Sequence, residues 1–160
     1  MTVTIEPFEE SHLESVVGLS LRAWKPVHES LCDAMGAAVF SALYPDWRIA
    51  QREDVTKACT SPDHETWVAI QDGVVAGFAD TVLHPESSMG EIHMVAVDPD
   101  YQRQGIGTKL TDFAVARLRA AGMPVAMVET GGDPGHEPAR RTYERSGFRV
   151  LPIARYFKKL

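Results

Sequence analysis

Cysteine is scarce in this sequence, where Cys32 and Cys59 are the only two among 160 residues. They form no CxxC pair and no Cys/His spacing typical of metal ligands, and the six histidines form no HxH or HxxxH pair. We therefore predict no metal site. Met1 to Phe8 has the pattern of a strand containing Glu6, not of a secretory signal, so we expect reduced thiols and a cytoplasmic location.

Long apolar runs and an excess of positive charge are also missing. No stretch approaches the roughly 20 apolar residues that span a bilayer, so we predict no membrane contact. Lys and Arg number 16 against 22 Asp and Glu, which argues against a nucleic-acid-binding surface. Hydrophobic residues make up 44% of the chain, as in folded globular proteins, and the length predicts a single domain over residues 1–160.

Helical spacing of apolar residues dominates the chain up to Thr60, and strands alternate with helices after it. The first predicted helix begins after Ser11 and ends at Pro26. The other predicted helices are 28–43, 46–60, 105–121 and 136–145. The predicted strands are 2–5, 66–70, 74–83, 91–97, 124–129, 148–151 and 155–158, with a hairpin turn at Asp72-Gly73. This alternation predicts an α/β or α+β sheet with helices on both faces.

The most informative stretch is VAVDPDYQRQGIGT, residues 95–108, in which a strand and a short loop lead into a glycine-rich helix start. A helix N-terminus presents unpaired N–H groups and the positive end of the helix dipole, which together suit phosphate oxygens. Gly105 and Gly107 let a ligand approach the backbone, and Arg103 adds charge. We therefore predict a phosphate-binding turn.

Two common phosphate-binding patterns do not fit this turn. A P-loop requires GxxxxGK[ST], in which lysine directly follows the second glycine, but Thr108 follows Gly107 here. A dinucleotide-binding loop requires GxGxxG, and this chain has Leu110 at the position of the third glycine. The acyl-CoA pattern [QR]xxGx[GA] fits Gln102-x-x-Gly105-x-Gly107 without adjustment.

A second block, ARRTYERSGF at residues 139–148, has the form AxxxYExxGF. The two blocks together resemble the GNAT superfamily of N-acetyltransferases, and the resemblance extends across most of the chain. It implies a GNAT-like fold, in which a central mixed, mostly antiparallel sheet is splayed between the fourth and fifth strands, 91–97 and 124–129.

The resemblance also implies that acetyl-CoA is the cosubstrate. Pantetheine would pair with the backbone at Val95 and Val97, and the pyrophosphate would lie on the amides from Arg103 to Thr108. His136 stands where the family often has asparagine. The cofactor-binding residues implied are Val95, Val97, Gln102, Arg103, Gln104, Gly105, Gly107, Thr108, His136 and Arg140.

The chemistry of amine acetylation needs an acid and a base. An alkyl amine with a pKa near 10.4 is only about one part in 2,500 neutral at pH 7, a cost of about 4.6 kcal/mol. Tyr143 matches the family's general-acid tyrosine. Glu91 lies where several family members carry a catalytic glutamate, and His93, two residues on, offers an imidazole suited to neutral pH. Water, or Glu129 on the next strand, remains an alternative base.

The acceptor pocket in this family is built largely by the first two helices and their loops, so we predict substrate contacts from Trp24, His28, Glu29, Trp47 and Glu129. The function predicted is transfer of acetyl from acetyl-CoA to a primary amine of a small molecule or peptide by direct attack. Alternatives are another acyl donor, a protein N-terminus or lysine as acceptor, and a non-catalytic acyl-CoA sensor. A homodimer is compatible with the sequence, which does not decide it.

Overall fold

The computed structural model of the protein describes residues 2–160 and contains a mixed sheet with helices on both faces. Within these residues the strands, in sheet order, are β1 (Val3–Pro7), β2 (His64–Gln71), β3 (Val74–His84), β4 (Met89–Val97) and β5 (Val125–Val128). The helices are α1 (Leu13–Met35), α2 (Ala37–Leu43), α3 (Trp47–Thr60), α4 (Ile106–Ala120) and α5 (Glu137–Arg145). The predicted fold class is confirmed.

The sheet opens between its fourth and fifth strands. β1 to β4 pair antiparallel, whereas β4 and β5 run parallel from Met89↔Val125 to Ile92↔Val128. Beyond that last pair, residues 93–97 of β4 have no ladder partner on β5 in the part of the chain that the structure describes. The predicted splay is therefore present, and it exposes backbone N–H and C=O groups that an extended ligand can bind.

A β-bulge interrupts β4 at the point where the splay begins. Asp80 of β3 is paired with Met94 and Thr81 with Ile92, which leaves His93 as the extra residue. The period-two alternation expected from Glu91 to Val97 is therefore broken, because a bulge adds one residue without a partner and turns the side chains after it.

Hydrophobic side chains pack on both faces of the sheet. On one face, α4 contributes Ile106, Leu110 and Leu118, which pack against Ile92 of β4. On the other face, α1 and α3 pack against Val68, Phe78 and Ala96. Both layers anchor β4, so the splayed strand is held from two sides. None of the helices within residues 2–160 carries an apolar stretch long enough to cross a membrane.

Pro26 does not end the first helix, as the sequence had predicted. α1 continues through it to Met35, and Gly36, with φ +86°, separates α1 from α2. The expected helix 28–43 is thus divided at Gly36. Proline removes one backbone hydrogen bond from a helix, but packing of the helix on the sheet can outweigh that loss.

The two strands predicted after α5 are absent. Residues 148–160 form neither helix nor strand, and Val150, Leu151, Ile153 and Tyr156 are exposed by 72%, 77%, 74% and 91%. An apolar alternation predicts a strand only if a neighbouring strand receives its backbone hydrogen bonds. Residues 148–151 and 155–158 have no such neighbour in the described chain.

Gly77 provides a test of how tightly β3 and β4 are packed. A Cβ atom at Gly77 would lie 2.7 Å from the backbone oxygen of Ala96 and 3.1 Å from Leu110 Cδ1. We expect Gly77→Ala to lower the free energy of unfolding by about 1–3 kcal/mol, because buried backbone cannot move aside cheaply. Urea denaturation measures this.

The matched control is Gly18→Ala in α1, where the added Cβ would meet Arg22 at an ordinary 3.6 Å. This change should be neutral or stabilise by about 0.5–1 kcal/mol, because alanine favours the helix. Equal losses in the two variants would contradict the close packing at Gly77.

Candidate active site

A cleft of ≈ 770 Å³ opens where β4 and β5 separate. Its walls are the second half of β4, the start of α4, the end of β5, and α5, with α1 and α3 opposite them. The volume lies in the range of small-molecule and cofactor sites. The predicted site residues that line it are Trp24, His93, Val95, Val97, Gln102, Arg103, Gly105, Gly107, Thr108, Glu129, His136 and Tyr143.

The start of α4 forms one end of this cleft. Gly105 is the N-cap in a left-handed conformation, with φ +81°, and its carbonyl accepts the first helical hydrogen bond, from Lys109 N at 3.0 Å. The amides of residues 106–108 therefore precede the first helical donor and have no acceptor within the helix. All three residues line the cleft, so an anion bound there could accept their hydrogen bonds.

Arginine side chains add positive charge to the cleft. Arg103 lines it from the loop before α4, and Arg141 and Arg145 line it from α5. Arg141 Nη2 also donates to Glu137 Oε1 at 2.7 Å, one helical turn away. Sequence reasoning missed Arg141 and Arg145, although their i,i+4 spacing in the second block would have placed both on one helix face.

Tyr143 lies on α5 and lines the cleft. Burial raises the pKa of its phenol to about 12, so the group stays protonated at neutral pH and can donate a hydrogen bond. Its ring also meets Phe148 edge to face, with centroids 6.1 Å apart. The second sequence block thus supplies both a cleft hydroxyl and the packing that orients it.

His93 carries an imidazole at the bulge, half-exposed in the cleft wall. Glu91 does not line the cleft, and its Oε1 lies 3.9 Å from His93 Nδ1. The other oxygen of that carboxylate, Oε2, is 2.7 Å from His84 Nε2. The imidazole therefore lies in the cleft wall and the glutamate outside it, with the carboxylate near the ring but beyond hydrogen-bond distance.

The loop between β5 and α5 is tied to α1 across the cleft. Ser30 Oγ donates to Asp133 Oδ2 at 2.5 Å and accepts from Gly135 N at 2.8 Å. Arg140 Nη1 donates to the carbonyls of Gly131 and Asp133 at 2.6 and 2.8 Å. Arg140 thus holds the loop, and its guanidinium is not part of the cleft wall.

The Asp133 carboxylate is the centre of this loop network. Burial acts to raise the pKa of Asp133, but hydrogen bonds with Ser30 and His136 outweigh it, so the pKa lies below its usual value. The ionised carboxylate is therefore favoured in the folded state. Its stabilising effect is present above the carboxyl's unfolded pKa and is lost as the pH falls through the folded pKa.

Several predicted residues lie outside the cleft wall. Gln104 accepts a hydrogen bond from Gln71 Nε2 at 3.2 Å. His28 is buried and stacks on Trp47, with ring centroids 4.3 Å apart. Glu29 faces solvent near Lys25, 3.8 Å away. Packing between α1, α2 and α3 thus accounts for the contacts that His28 and Trp47 make.

Acidic side chains also line the cleft. They are Glu129, which directly follows β5, and Asp54 of α3 on the opposite side, where Gln51 and Trp24 also lie. Sequence reasoning missed Gln51 and Asp54, because the polar helix α3 carries no local motif. Two carboxylates that face the same cleft suit a cationic group.

Comparison with known proteins agrees with this fold and cleft. Residues 24–148 match the acetyltransferase (GNAT) family, which covers most of the chain. The chain belongs to the GNAT acetyltransferase family.

Individual relatives refine the comparison. A mycothiol acetyltransferase of Streptomyces coelicolor is 30% identical over 135 residues, 82% of this chain and 43% of that protein. The chain spans about half the length of the curated relatives it matches.

Two solved structures share the fold. The PaiA N-acetyltransferase of Thermoplasma acidophilum, in complex with coenzyme A, superposes with a TM-score of 0.71 at 15% identity, over 96% of this chain and 94% of that one. The aminoglycoside N-acetyltransferase AAC(6')-Iy, bound to a bisubstrate analogue, gives a TM-score of 0.69 at 18% identity, over 100% and 99% of the two chains.

Proposed function

We propose that this protein transfers the acetyl group of acetyl-CoA to a primary amine of a small molecule or peptide. The observation that carries the proposal is the cleft itself, which joins the N-terminus of α4, with its free amides, to the part of β4 that has no partner on β5. Coenzyme A needs both features, because it has a phosphate-rich end and an amide-bearing pantetheine arm.

The cofactor would lie with its pyrophosphate at the first turn of α4, where the amides of residues 106–108 and the arginines of α5 can bind it. The pantetheine amides would pair with the backbone of β4 at Val95 and Val97, which has no partner on β5, in the manner of an added strand. Thr108 and Gln102 line the same end. Gln102 Nε2 donates to the Val97 carbonyl at 3.0 Å, which fixes the loop between β4 and α4.

The acceptor would lie between Glu129 and Asp54, whose carboxylates favour an ammonium group. Relatives with the names mycothiol acetyltransferase and aminoglycoside N-acetyltransferase support a small-molecule acceptor. The amine reaches its reactive form only after losing a proton. We assign the base role to His93, which lines the cleft, and a positioning role to Glu91, which does not.

Tyr143 would stabilise the departing thiolate. With its pKa raised to about 12, the phenol holds its proton more tightly than a thiol does, so complete proton transfer to the thiolate is unfavourable. The phenol therefore acts first as a hydrogen-bond donor to the developing negative charge. Such stabilisation strengthens as the C–S bond breaks, so it accelerates the reaction.

The test of the proposal is a titration of the purified protein with acetyl-CoA, followed by a thiol-release screen over polyamines, amino acids, aminoglycosides and peptides. Saturable binding with release on one amine class is the expected result. Binding of acetyl-CoA without thiol release on any amine would favour a non-catalytic sensor. Thiol release only with a longer acyl-CoA would show that the donor is not acetyl-CoA. The absence of binding would overturn the proposal.

The relation between His93 and Glu91 gives a further prediction. His93→Gln should lower kcat by about 10²-fold and Glu91→Gln by about 10-fold, because the glutamate acts through the imidazole. If the two form one unit, the double variant should be no slower than His93→Gln alone. Steady-state kinetics on the amine found in the screen measure this, with His12→Gln as the control.

Fully additive losses would show that Glu91 has a role independent of His93. A Glu91→Gln variant slower than His93→Gln would make the glutamate the base, acting through water.

A further inference from the structure

Three neighbouring strands bring two histidines and an aspartate to one point. His64 of β2, Asp80 of β3 and His93 of β4 each place one possible ligand atom within 4.8 Å of the other two. The bulge in β4 makes this possible, because the extra residue His93 stands beside His64, with ring centroids 5.1 Å apart. His64 and Asp80 have no part in the acetyl transfer proposed above, so their juxtaposition calls for another explanation.

Asp80 is fully buried, at 0% exposure. His64 Nδ1 lies 2.6 Å from its Oδ1, and Thr66 Oγ1 donates to its Oδ2 at 2.7 Å. A buried carboxylate is costly unless hydrogen bonds, positive charge or a metal ion compensate it, and the groups close to Asp80 include the two imidazoles.

The donor set identifies the class of ion. Two imidazole nitrogens and one carboxylate oxygen suit Zn²⁺ and its neighbours Co²⁺, Ni²⁺ and Cu²⁺. Mg²⁺ and Ca²⁺ prefer oxygen ligands alone, so the histidines argue against them. With metal–ligand bonds of about 2.0–2.2 Å, tetrahedral ligand atoms lie about 3.3–3.6 Å apart. The ligand atoms lie within 4.8 Å of one another, and His64 Nδ1 is 2.6 Å from Asp80 Oδ1, so that pair must open slightly while the half-exposed His93 side chain adjusts its distance.

The groups around the three residues resemble an outer coordination shell. Thr66 fixes one oxygen of Asp80. Glu91 lies 3.9 Å from His93 Nδ1, and His84 holds that glutamate in turn. Outer carboxylates and hydroxyls of this kind orient metal ligands and raise their basicity. Because His93 lines the cleft, a fourth ligand position would face solvent or the acceptor.

We propose that His64, Asp80 and His93 form a binding site for one divalent transition-metal ion of the zinc class at the acceptor end of the cleft. Coordination uses the imidazole lone pair that would otherwise accept the amine proton, so the ion and the base role of His93 exclude each other. Zn²⁺ should therefore inhibit acetyl transfer while leaving acetyl-CoA affinity unchanged. Binding of the ion itself does not depend on acetyl transfer.

The test is a titration of the tag-free, chelator-treated protein with Co²⁺, followed by displacement with Zn²⁺. The visible d–d absorption of Co²⁺ reports four- or five-coordinate binding by nitrogen and oxygen. We expect one equivalent of Co²⁺ to bind and one equivalent of Zn²⁺ to displace it. His64→Gln and His93→Gln should each weaken the affinity at least about 10-fold. His12→Gln, which keeps an acceptor for the Glu9 amide, should bind as the unchanged protein does.

His93→Gln is the decisive variant, because its side chain is half-exposed and its loss should leave the fold intact. Unchanged affinity in both His64→Gln and His93→Gln would overturn the proposal. Absence of Co²⁺ and Zn²⁺ binding up to about 1 mM would overturn it too. A thiolate charge-transfer band from Co²⁺ would assign the ion to Cys32 or Cys59 and would also overturn it.

Discussion

Tyr143→Phe should lower kcat for acetyl transfer by about 10²–10³-fold, which corresponds to about 2.7–4.1 kcal/mol of transition-state stabilisation. The phenol lines the cleft, and burial raises its pKa to about 12, so the protonated donor is present throughout the neutral range. Phenylalanine keeps the ring and its edge-to-face contact with Phe148. The change therefore removes the hydroxyl alone.

The Kd of acetyl-CoA should stay within about twofold in this variant, because the hydroxyl interacts with charge that develops only as the thiolate leaves. Stopped-flow or steady-state thiol release gives kcat, and equilibrium titration gives the Kd. Tyr156→Phe is the matched control, since Tyr156 is 91% exposed and should keep full activity. Unchanged turnover in Tyr143→Phe would remove the phenol from the chemistry.

Local patterns predicted those parts of the protein that depend on neighbouring residues. The hairpin turn at Asp72-Gly73 is present, with positive φ at both residues, +52° and +78°, as a two-residue turn requires. The glycine-rich start of α4 follows its sequence block in the same way, and both features are decided within a few residues. The splay of β4 from β5 was instead implied by the resemblance to the GNAT family.

Pairing between distant segments decided what the sequence did not predict. The bulge at His93 arises from the register of β3 on β4, and no residue type within β4 specifies it. His64, Asp80 and His93 lie too far apart in sequence to form a recognised ligand spacing, yet adjacent strands bring them together. The same reason explains why the strands predicted at 148–151 and 155–158 are absent. Both segments have the apolar alternation of a strand, but neither has a neighbouring strand to pair with in the described chain.

Gly107→Leu should weaken acetyl-CoA binding by about 10²-fold, or about 2.7 kcal/mol. Gly107 lies in the first turn of α4, beside the amides proposed to bind the pyrophosphate. A Cβ atom there would lie 3.7 Å from Val97 Cγ2 and 3.8 Å from Thr142 Cγ2. A leucine must extend beyond these contacts into the space between β4 and α5, where the cofactor would lie.

Gly107→Ala separates this steric effect from damage to the helix. Its Cβ meets only ordinary van der Waals distances, and alanine favours the helix, so both acetyl-CoA affinity and the urea midpoint should stay close to those of the unchanged protein. Isothermal titration of the three proteins at one ionic strength measures the series. A Gly107→Leu variant that folds normally and binds acetyl-CoA with unchanged affinity would place the cofactor elsewhere, because a phosphate on the first turn of α4 cannot share that space with a leucine side chain.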